Sequence, residues 1–268
     1  MKIFLDCSDP ELIQHAMETN LIDGVTTNPS LMLKAGRNPR DVIQEISDLF
    51  SWDASISAEV MGDNAEEMLE AANEYYSIAP NVTIKLPCTR EGLIACSDLS
   101  ADGISTNVTL IFSVAQAILA AKAGASMMSP FVGRLNDNSF SGISLVQAIS
   151  RVYRMHDVET EILAASVREV HHVARCFDAG ADIVTMPYEV FNKMYKHILT
   201  DNGLERFEND WAKLQEELHV DELNFGDKKY TSLRLVRSSW KRRPNFLGKS
   251  RDILSESSNL TTESQSLI

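Results

Sequence analysis

The sequence predicts an α/β protein that folds as a (β/α)8 barrel, with an extra amphipathic helix after the barrel and a disordered C-terminal tail. Short apolar or β-branched runs alternate eight times with stretches of helical apolar spacing within about 200 residues. This alternation is typical of a barrel at the short end of the size range of that fold. A doubly wound open sheet is the alternative, but neither GxGxxG nor GxxxxGKS/T follows any run, which favours the barrel.

The predicted elements follow one another along residues 1–221. The eight runs predicted as strands are 2–6, 24–27, 56–60, 82–86, 104–108, 126–130, 161–166 and 182–186. Residues 8–11, Ser-Asp-Pro-Glu, form a helix-capping signal with proline in the first turn. Thr89 can cap a helix that starts at Glu91, and Gly124 and Gly180 stand where helices should end.

A last helix is predicted over 202–219. Its apolar residues follow a spacing of 3, 4, 3 and 4, which makes a narrow seam: Leu204, Phe207, Trp211, Leu214 and Leu218. Because this helix is ninth in order, the barrel can close without it. It could pack on its own barrel or contact another subunit.

The charge of the chain is acidic and unevenly spread. Its 25 Lys and Arg stand against 38 Asp and Glu, for a net charge of −13. Residues 222–268 hold nine basic and five acidic side chains, a charge of +4, so the first 221 residues carry −17. An acidic body argues against nucleic acid or an anionic membrane as the main partner. The basic cluster at 240–243 could bind RNA, an acidic partner or a membrane surface, although a solvated basic stretch in a disordered tail is the more ordinary interpretation.

The sequence also disfavours membrane proteins, secreted proteins and metal-binding proteins. No apolar run approaches the ~18–20 residues of a membrane span, and the apolar stretch at the N-terminus is too short for a signal peptide. The four cysteines are scattered without a CxxC pair, so we expect no zinc site, no disulfide framework and a cytoplasmic location. His171 and His172 are adjacent, so their side chains should point about 100° apart on a helix and should not chelate one metal ion together.

Polar side chains stand at seven of the predicted strand ends, where a barrel carries its functional groups. Any one of them could simply cap the following helix, but the set predicts a polar site at this end of the barrel: Asp6, Thr26-Thr27-Asn28, Glu59, Lys85, Asn107 with Thr109, Ser129 with Arg134, and Ser166 with Arg168.

Lys85 is the sharpest of these candidates because it lies inside an apolar strand, where an unpaired ammonium is expensive. Thr83 and Lys85 share one face, while Val82, Ile84 and Leu86 share the other, which suits the helix layer. Lys85 should therefore face the barrel interior, although a lysine that snorkels outward is the alternative. Desolvation lowers the pKa of a lysine, and a neutral amine can form a Schiff base with a carbonyl carbon.

The neighbouring candidates suit an anionic carbonyl substrate. Asp6 and Glu59 are carboxylates that could relay protons through one water molecule. Arg134 and Arg168 supply positive charge, and Ser166 a hydroxyl, on the side where barrels often bind phosphate. A surface salt bridge is the alternative for either arginine alone.

Four segments resemble the transaldolase family: 24–30 (GVTTNPS), 84–87 (IKLP) with Thr89 and Glu91-Gly92, 107–113 (NVTLIFS) and 129–134 (SPFVGR). The resemblance runs in order from residue 1 to about 218. Size and motif spacing are similar to the small-subunit branch, which also contains fructose-6-phosphate aldolases. The resemblance implies a class I mechanism in a (β/α)8 barrel with no metal and no cofactor.

The resemblance also implies roles for individual residues. Lys85 would form the Schiff base, Asp6 would move the proton of the hydroxyl next to the breaking bond, and Glu59 with Thr109 would hold the catalytic water. Three residues would orient the dihydroxyacetone fragment, namely Asn28, Asn107 and Ser129, and three would bind phosphate, namely Arg134, Ser166 and Arg168. The implied substrates are sugar phosphates of the pentose phosphate pathway, and the implied assembly is a ring-built homo-oligomer, such as a decamer, that uses the last helix.

Two positions favour transaldolase over aldolase chemistry. Aldolase-like members resemble a pattern with Gln where this chain has Glu59 and Tyr where it has Phe131. Gln cannot move protons, and Phe131 has no hydroxyl to replace that function. A fructose-6-phosphate aldolase is the alternative, and a non-catalytic sugar-phosphate-binding barrel is a more remote one. Cys7 departs from the family pattern, in which Thr or Ser is commoner.

Overall fold

The computed structural model describes residues 1–217, so the predicted tail at 222–268 and Leu218 of the predicted seam lie outside the described residues. The strands are β1 (Lys2–Asp6), β2 (Gly24–Thr26), β3 (Ser55–Glu59), β4 (Val82–Pro87), β5 (Thr106–Ile111), β6 (Met127–Pro130), β7 (Glu161–Ala164) and β8 (Ile183–Met186). The helices are α1 (Pro10–Met17), α2 (Pro29–Ala35), α3 (Pro39–Leu49), α4 (Ala65–Tyr76), α5 (Arg90–Ala101), α6 (Val114–Lys122), α7 (Val132–Asp137), α8 (Gly142–Met155), α9 (Val170–Asp178), α10 (Tyr188–Lys193) and α11 (Ile198–Glu217).

The eight strands form a closed parallel barrel in chain order. Each strand pairs with the next, and β8 pairs with β1, which closes the sheet. The predicted (β/α)8 barrel is confirmed, and the open sheet is wrong. The strand β5 continues three residues beyond its predicted end at 108, with a register shift against β6 between Val108 and Ile111.

The helix ends follow the predicted signals. The Asp9 side chain accepts hydrogen bonds from two backbone amides in the first turn of α1. Thr89 caps α5 through the amide of Gly92, and the helix begins one residue earlier than predicted. Gly124 and Gly180 follow α6 and α9 with φ of 80° and 95°, the left-handed conformation that glycine adopts after a helix.

Two apolar clusters support the barrel. The larger one lies between the strands and the helix layer and includes Ile84 and Leu86 of β4. A smaller cluster includes Phe4, Leu163 and Ile183, which alternation along β1, β7 and β8 places inside the barrel. The interior of β2 to β5 is polar instead, with Thr26, Ser57, Thr83, Lys85 and Asn107 all buried. Apolar filling on one side of the barrel therefore leaves the other side for polar chemistry.

Residues Met1–Asp201 form one compact unit, which holds the whole barrel. The second unit begins at Asn202, and its described part is the remainder of α11. The predicted extra helix is present, with its start at Ile198 rather than 202. Within residues 1–217, no helix is both long and apolar enough to cross a bilayer.

Candidate active site

A cavity of about 310 Å³ opens at the carboxyl ends of the strands. Eight of the ten predicted site residues line it: Asp6, Asn28, Glu59, Lys85, Ser129, Arg134, Ser166 and Arg168. They come from six strands or the segments that follow them, and Arg134 lies on α7; the closed barrel brings these strand ends to one place. Asn107 and Thr109 do not line the cavity and are fully buried in β5.

Lys85 faces the cavity from β4, as its alternation predicts, so the outward orientation is wrong. Its side chain is almost fully buried, and its Nζ lies 3.0 Å from Glu59 Oε2. The same Nζ donates a hydrogen bond of 3.0 Å to the backbone carbonyl of Thr27. The ammonium is therefore paired rather than isolated, and its partner Glu59 is its direct neighbour in the register of β3 with β4.

Asp6 is held by hydroxyl groups at the end of β1. Thr26 Oγ1 donates to Asp6 Oδ1 at 2.8 Å, and Thr26 Oγ1 also lies 2.7 Å from Thr185 Oγ1. Burial raises the pKa of the Asp6 carboxyl, and the charge of Lys85 and the hydrogen bonds from Thr26 and Asn28 only partly offset that effect. A carboxyl with a raised pKa is better suited to exchange protons near neutral pH.

Three further predicted residues, Asn28, Asn107 and Ser129, take part in hydrogen bonds at the site. Asn28 Oδ1 accepts from the amide of Leu31 and caps α2, and a hydrogen bond from the Asn28 side chain also favours the ionised form of Asp6. Ser129 Oγ donates to Asn107 Oδ1 at 2.7 Å, and Asn107 Nδ2 donates to Ser57 Oγ at 3.3 Å. Asn107 is thus a buried anchor for Ser129.

Thr109 has an unusual environment. Its Oγ1 is fully buried and has no hydrogen-bond partner among the groups of residues 1–217. A buried hydroxyl without a partner costs free energy, and an ordered water is the kind of group that satisfies such an oxygen.

The two arginines form the cationic end of the cavity. The Arg134 guanidinium lies 4.8 Å from the centre of the Phe131 ring, a cation–π distance. Arg168 Nη1 pairs with Asp137 at 2.8 Å, and both side chains of this pair are about half exposed. Ser166 adopts a left-handed backbone with φ of 58° between them. This end can bind an anionic group of a substrate.

Several cavity residues were not among the predicted site residues. Thr185 stands at the end of β8, the one strand end at which no functional group was predicted, and the strand-end rule could have found it. Leu110 lines the cavity with φ of 61°, next to the register shift in β5, and no signal in the sequence marks that conformation.

The prediction for the adjacent histidines is wrong in its geometry. The rings of His171 and His172 have centroids only 4.0 Å apart, and His171 Nδ1 lies 3.1 Å from Glu169 Oε2. The ligand atoms of these three residues lie within 4.8 Å of one another. Side-chain torsions at the start of α9 bring together rings that the helical angle alone would separate. The cluster is largely exposed and none of its residues lines the cavity.

The chain matches the family described as Transaldolase/Fructose-6-phosphate aldolase over residues 3–224. It is 52% identical over 212 residues to a "Probable transaldolase" of Caulobacter sp. (strain K31), a match that covers 79% of this chain and 97% of that protein. A "Probable transaldolase" of Phenylobacterium zucineum (strain HLK1) is 50% identical over 213 residues, which is 80% of this chain and 97% of that protein. Another, of Caulobacter vibrioides (strain NA1000 / CB15N), is 51% identical over 212 residues, again 79% of this chain and 97% of the relative.

Proposed function

Because the chain belongs to the transaldolase/fructose-6-phosphate aldolase family, we propose that it is a transaldolase of the pentose phosphate pathway. It transfers a dihydroxyacetone unit from sedoheptulose 7-phosphate or fructose 6-phosphate to glyceraldehyde 3-phosphate or erythrose 4-phosphate. The observation that carries the proposal is the buried amine of Lys85, which lies 3.0 Å from a carboxylate in a cavity at the strand ends.

The first half of the reaction forms a Schiff base on Lys85. The ammonium gives a proton to Glu59, and the neutral amine adds to the C2 carbonyl of the ketose phosphate. The resulting carbinolamine loses its hydroxyl as water after Glu59 returns a proton, through a water that Thr109 helps to hold. The contact between Lys85 and Glu59 supports this step, as does the partnerless Thr109 hydroxyl within the described residues.

The second half breaks and remakes a carbon–carbon bond. Asp6 takes the proton from the C4 hydroxyl, the C3–C4 bond breaks, and its electron pair moves toward the iminium nitrogen to give an enamine on Lys85. The aldose phosphate leaves, and the enamine carbon attacks the aldehyde of the acceptor. Asp6 returns its proton to the new alkoxide, and water hydrolyses the Schiff base. The raised pKa of Asp6 supports its use as both base and acid.

The two ends of the cavity bind different parts of the substrate. Asn28 and Ser129, the latter anchored by Asn107, hold the hydroxyls of the three-carbon unit. Arg134, Ser166 and Arg168 bind the phosphate, and an Arg–phosphate contact is well suited to bidentate binding. A local pair of cations explains how a chain of net charge −13 can still bind a small anion.

We further propose that the protein works in the cytoplasm as a homo-oligomer in which α11 contacts a neighbouring subunit. Four apolar side chains of the predicted seam on α11 are exposed: Leu204, Phe207, Trp211 and Leu214. Light scattering of a chain that ends at Asp201 should give fewer subunits per particle than the full chain gives. An unchanged number of subunits would contradict the role of α11.

Borohydride trapping tests the Schiff base. Wild-type protein mixed with fructose 6-phosphate and sodium borohydride should gain a covalent adduct on Lys85, detected by peptide mass spectrometry. Lys85→Met should gain none, while Lys122→Met, on the outer helix α6, should trap substrate as the wild type does. An adduct on another lysine would overturn the assignment.

A coupled assay tests the reaction class. Release of glyceraldehyde 3-phosphate from fructose 6-phosphate should depend on added erythrose 4-phosphate. The glutamate at 59 and the hydroxyl-free Phe131 support this acceptor dependence. Rapid release without an acceptor would identify an aldolase instead, and binding without turnover would identify a non-catalytic barrel.

A further inference from the structure

We propose that Thr185 is a positioning residue for the transfer reaction, because its hydroxyl orients that of Thr26, which in turn orients the carboxylate of Asp6. The inference rests on the proposed function, in which Asp6 moves the proton of the substrate hydroxyl. It extends the site to β8, the strand end without a predicted functional group.

The barrel geometry brings the three groups together. Strand β1 lies between β2 and β8, and Asp6 is paired with Thr26 in the register of β1 with β2. Thr185 is paired with Phe4, two residues before Asp6 on the same inward face of β1. Hydroxyls from the two flanking strands therefore meet beside the carboxylate, at 2.7 Å from each other, and both threonines are 2% exposed.

The number of protons that each group can donate sets the direction of the hydrogen bonds among Thr185, Thr26 and Asp6. A hydroxyl has one proton to donate, and an ionised carboxylate can only accept. The proton of Thr26 points to Asp6 Oδ1 at 2.8 Å, so on the 2.7 Å contact Thr185 must be the donor and Thr26 the acceptor. Within the described residues, Thr26 Oγ1 has no other hydrogen-bond partner than these two.

The same chain can reverse when Asp6 becomes protonated. If the carboxyl proton lies on Oδ1, it points to Thr26, and Thr26 donates in turn to Thr185. Both protonation states keep the buried Thr26 hydroxyl satisfied, which matters because a buried donor without an acceptor is costly. Without the Thr185 hydroxyl, Thr26 has no acceptor when that proton lies on Oδ1, so one of the two positions for the abstracted proton is lost. The proton-transfer step should slow, while binding of the sugar phosphate at the arginine end should stay the same.

A double-mutant cycle in the full-length protein tests this role. Thr185→Val should lower kcat about tenfold, a difference equivalent to about 1.4 kcal/mol, and should leave KM for fructose 6-phosphate within about twofold. Thr185→Ser, which keeps the hydroxyl, should restore most of the rate. If Thr185 acts through Thr26, the double variant with Thr26→Val should be no slower than Thr26→Val alone.

Thr83→Val is the matched control, because Thr83 is also 2% exposed inside the barrel and its hydroxyl bonds to Ser55, at the start of β3. It should keep wild-type kcat. If Thr185→Val fails to fold, Thr185→Ala replaces it in the same cycle. A wild-type kcat for Thr185→Val or Thr185→Ala would overturn the positioning role. Losses of kcat that multiply in the double variant with Thr26→Val would overturn it as well. Failure of the wild type to trap substrate on Lys85 would instead overturn the proposed function.

Discussion

Replacing Gly133 by alanine would place a methyl group at the contact between α7 and the loop after β7. The added carbon would lie 2.1 Å from the backbone carbonyl oxygen of Ser166, whereas such carbons essentially never approach another heavy atom within 3.0 Å. It would also lie 2.9 Å from Ser166 Oγ and 3.2 Å from Arg168 Nε. The obstacle is backbone rather than the end of a flexible side chain, so the loop itself must move.

The size of that movement sets the expected effect. The two elements must separate by about 0.9 Å, which displaces the proposed phosphate-binding groups relative to Lys85. A misplacement of about 1 Å can cost on the order of 100-fold in rate, and overpacking costs about 1–3 kcal/mol of stability. Gly133→Ala should therefore lower kcat/KM for fructose 6-phosphate by about two orders of magnitude and weaken competitive inhibition by inorganic phosphate.

Steady-state kinetics, phosphate inhibition and thermal unfolding of the variant provide the assay. Gly203→Ala is the matched control, because a carbon added at Gly203 on α11 meets no atom within 4 Å. That variant should keep wild-type kinetics and gain up to about 1 kcal/mol of helix stability. Wild-type kcat/KM together with wild-type phosphate inhibition in Gly133→Ala would refute the argument that this close approach sets the phosphate-binding end.

Two other substitutions probe charges at the site. Asp6→Asn should abolish transfer yet raise the melting temperature at neutral pH. Burial raises the pKa of Asp6 above its ordinary value of 3.8, so the folded wild-type protein loses stability as the pH rises above that value and the buried carboxyl ionises. Melting curves from about pH 3.5 to 8 should show the advantage at neutral pH and none below 3.8; a variant less stable at neutral pH would contradict the sign. Asp137→Asn should free Arg168 from its half-exposed ion pair and tighten inhibition by phosphate two- to fivefold, since such pairs contribute about 0–1 kcal/mol. Glu45→Gln, which breaks the exposed pair with Arg37, should leave that inhibition unchanged, and weaker inhibition in Asp137→Asn would show that Asp137 holds Arg168 in place instead.

The fold could be predicted because its signals are local. Period-2 and period-3.6 apolar patterns define strands and helices, and Asp9 and Thr89 mark helix starts through their own side chains. Because barrels carry their functional groups at the carboxyl ends of the strands, the predicted topology also predicts where the site lies. It placed Lys85 and Arg134 in one cavity although 49 positions separate them in the sequence.

The finer contacts could not be predicted because they depend on register between strands. The pair of Lys85 with Glu59 and the contact of Thr26 with Thr185 follow from how far neighbouring strands are staggered in the closed barrel. No pattern within one strand encodes that stagger. The register shift in β5, beside which Leu110 takes a positive φ, is another case, since neither glycine nor proline marks it in the sequence.

The backbone conformation of Ser166 shows how the phosphate end departs from local rules. Its φ of 58° lies in the left-handed region, which costs a residue with a side chain about 1–2 kcal/mol, and Ser166 lines the cavity. Ser166→Ala and Ser166→Gly both remove the hydroxyl, and both should weaken phosphate inhibition equally. Only glycine relieves the strain of the left-handed backbone, although its greater freedom in the unfolded chain offsets part of the gain. The Ser166→Gly variant should therefore be more stable than Ser166→Ala by about 0.5–1 kcal/mol.

Ser139 provides the control for this comparison, because it has φ of 62° but does not line the cavity. Ser139→Gly should exceed Ser139→Ala in melting temperature by a similar amount and leave phosphate inhibition unchanged. If the glycine advantage appears at 139 but not at 166, the loop after β7 does not hold Ser166 in the left-handed conformation in solution. If it appears at both positions, the strain at Ser166 is a cost that the protein bears where its hydroxyl is needed for the phosphate.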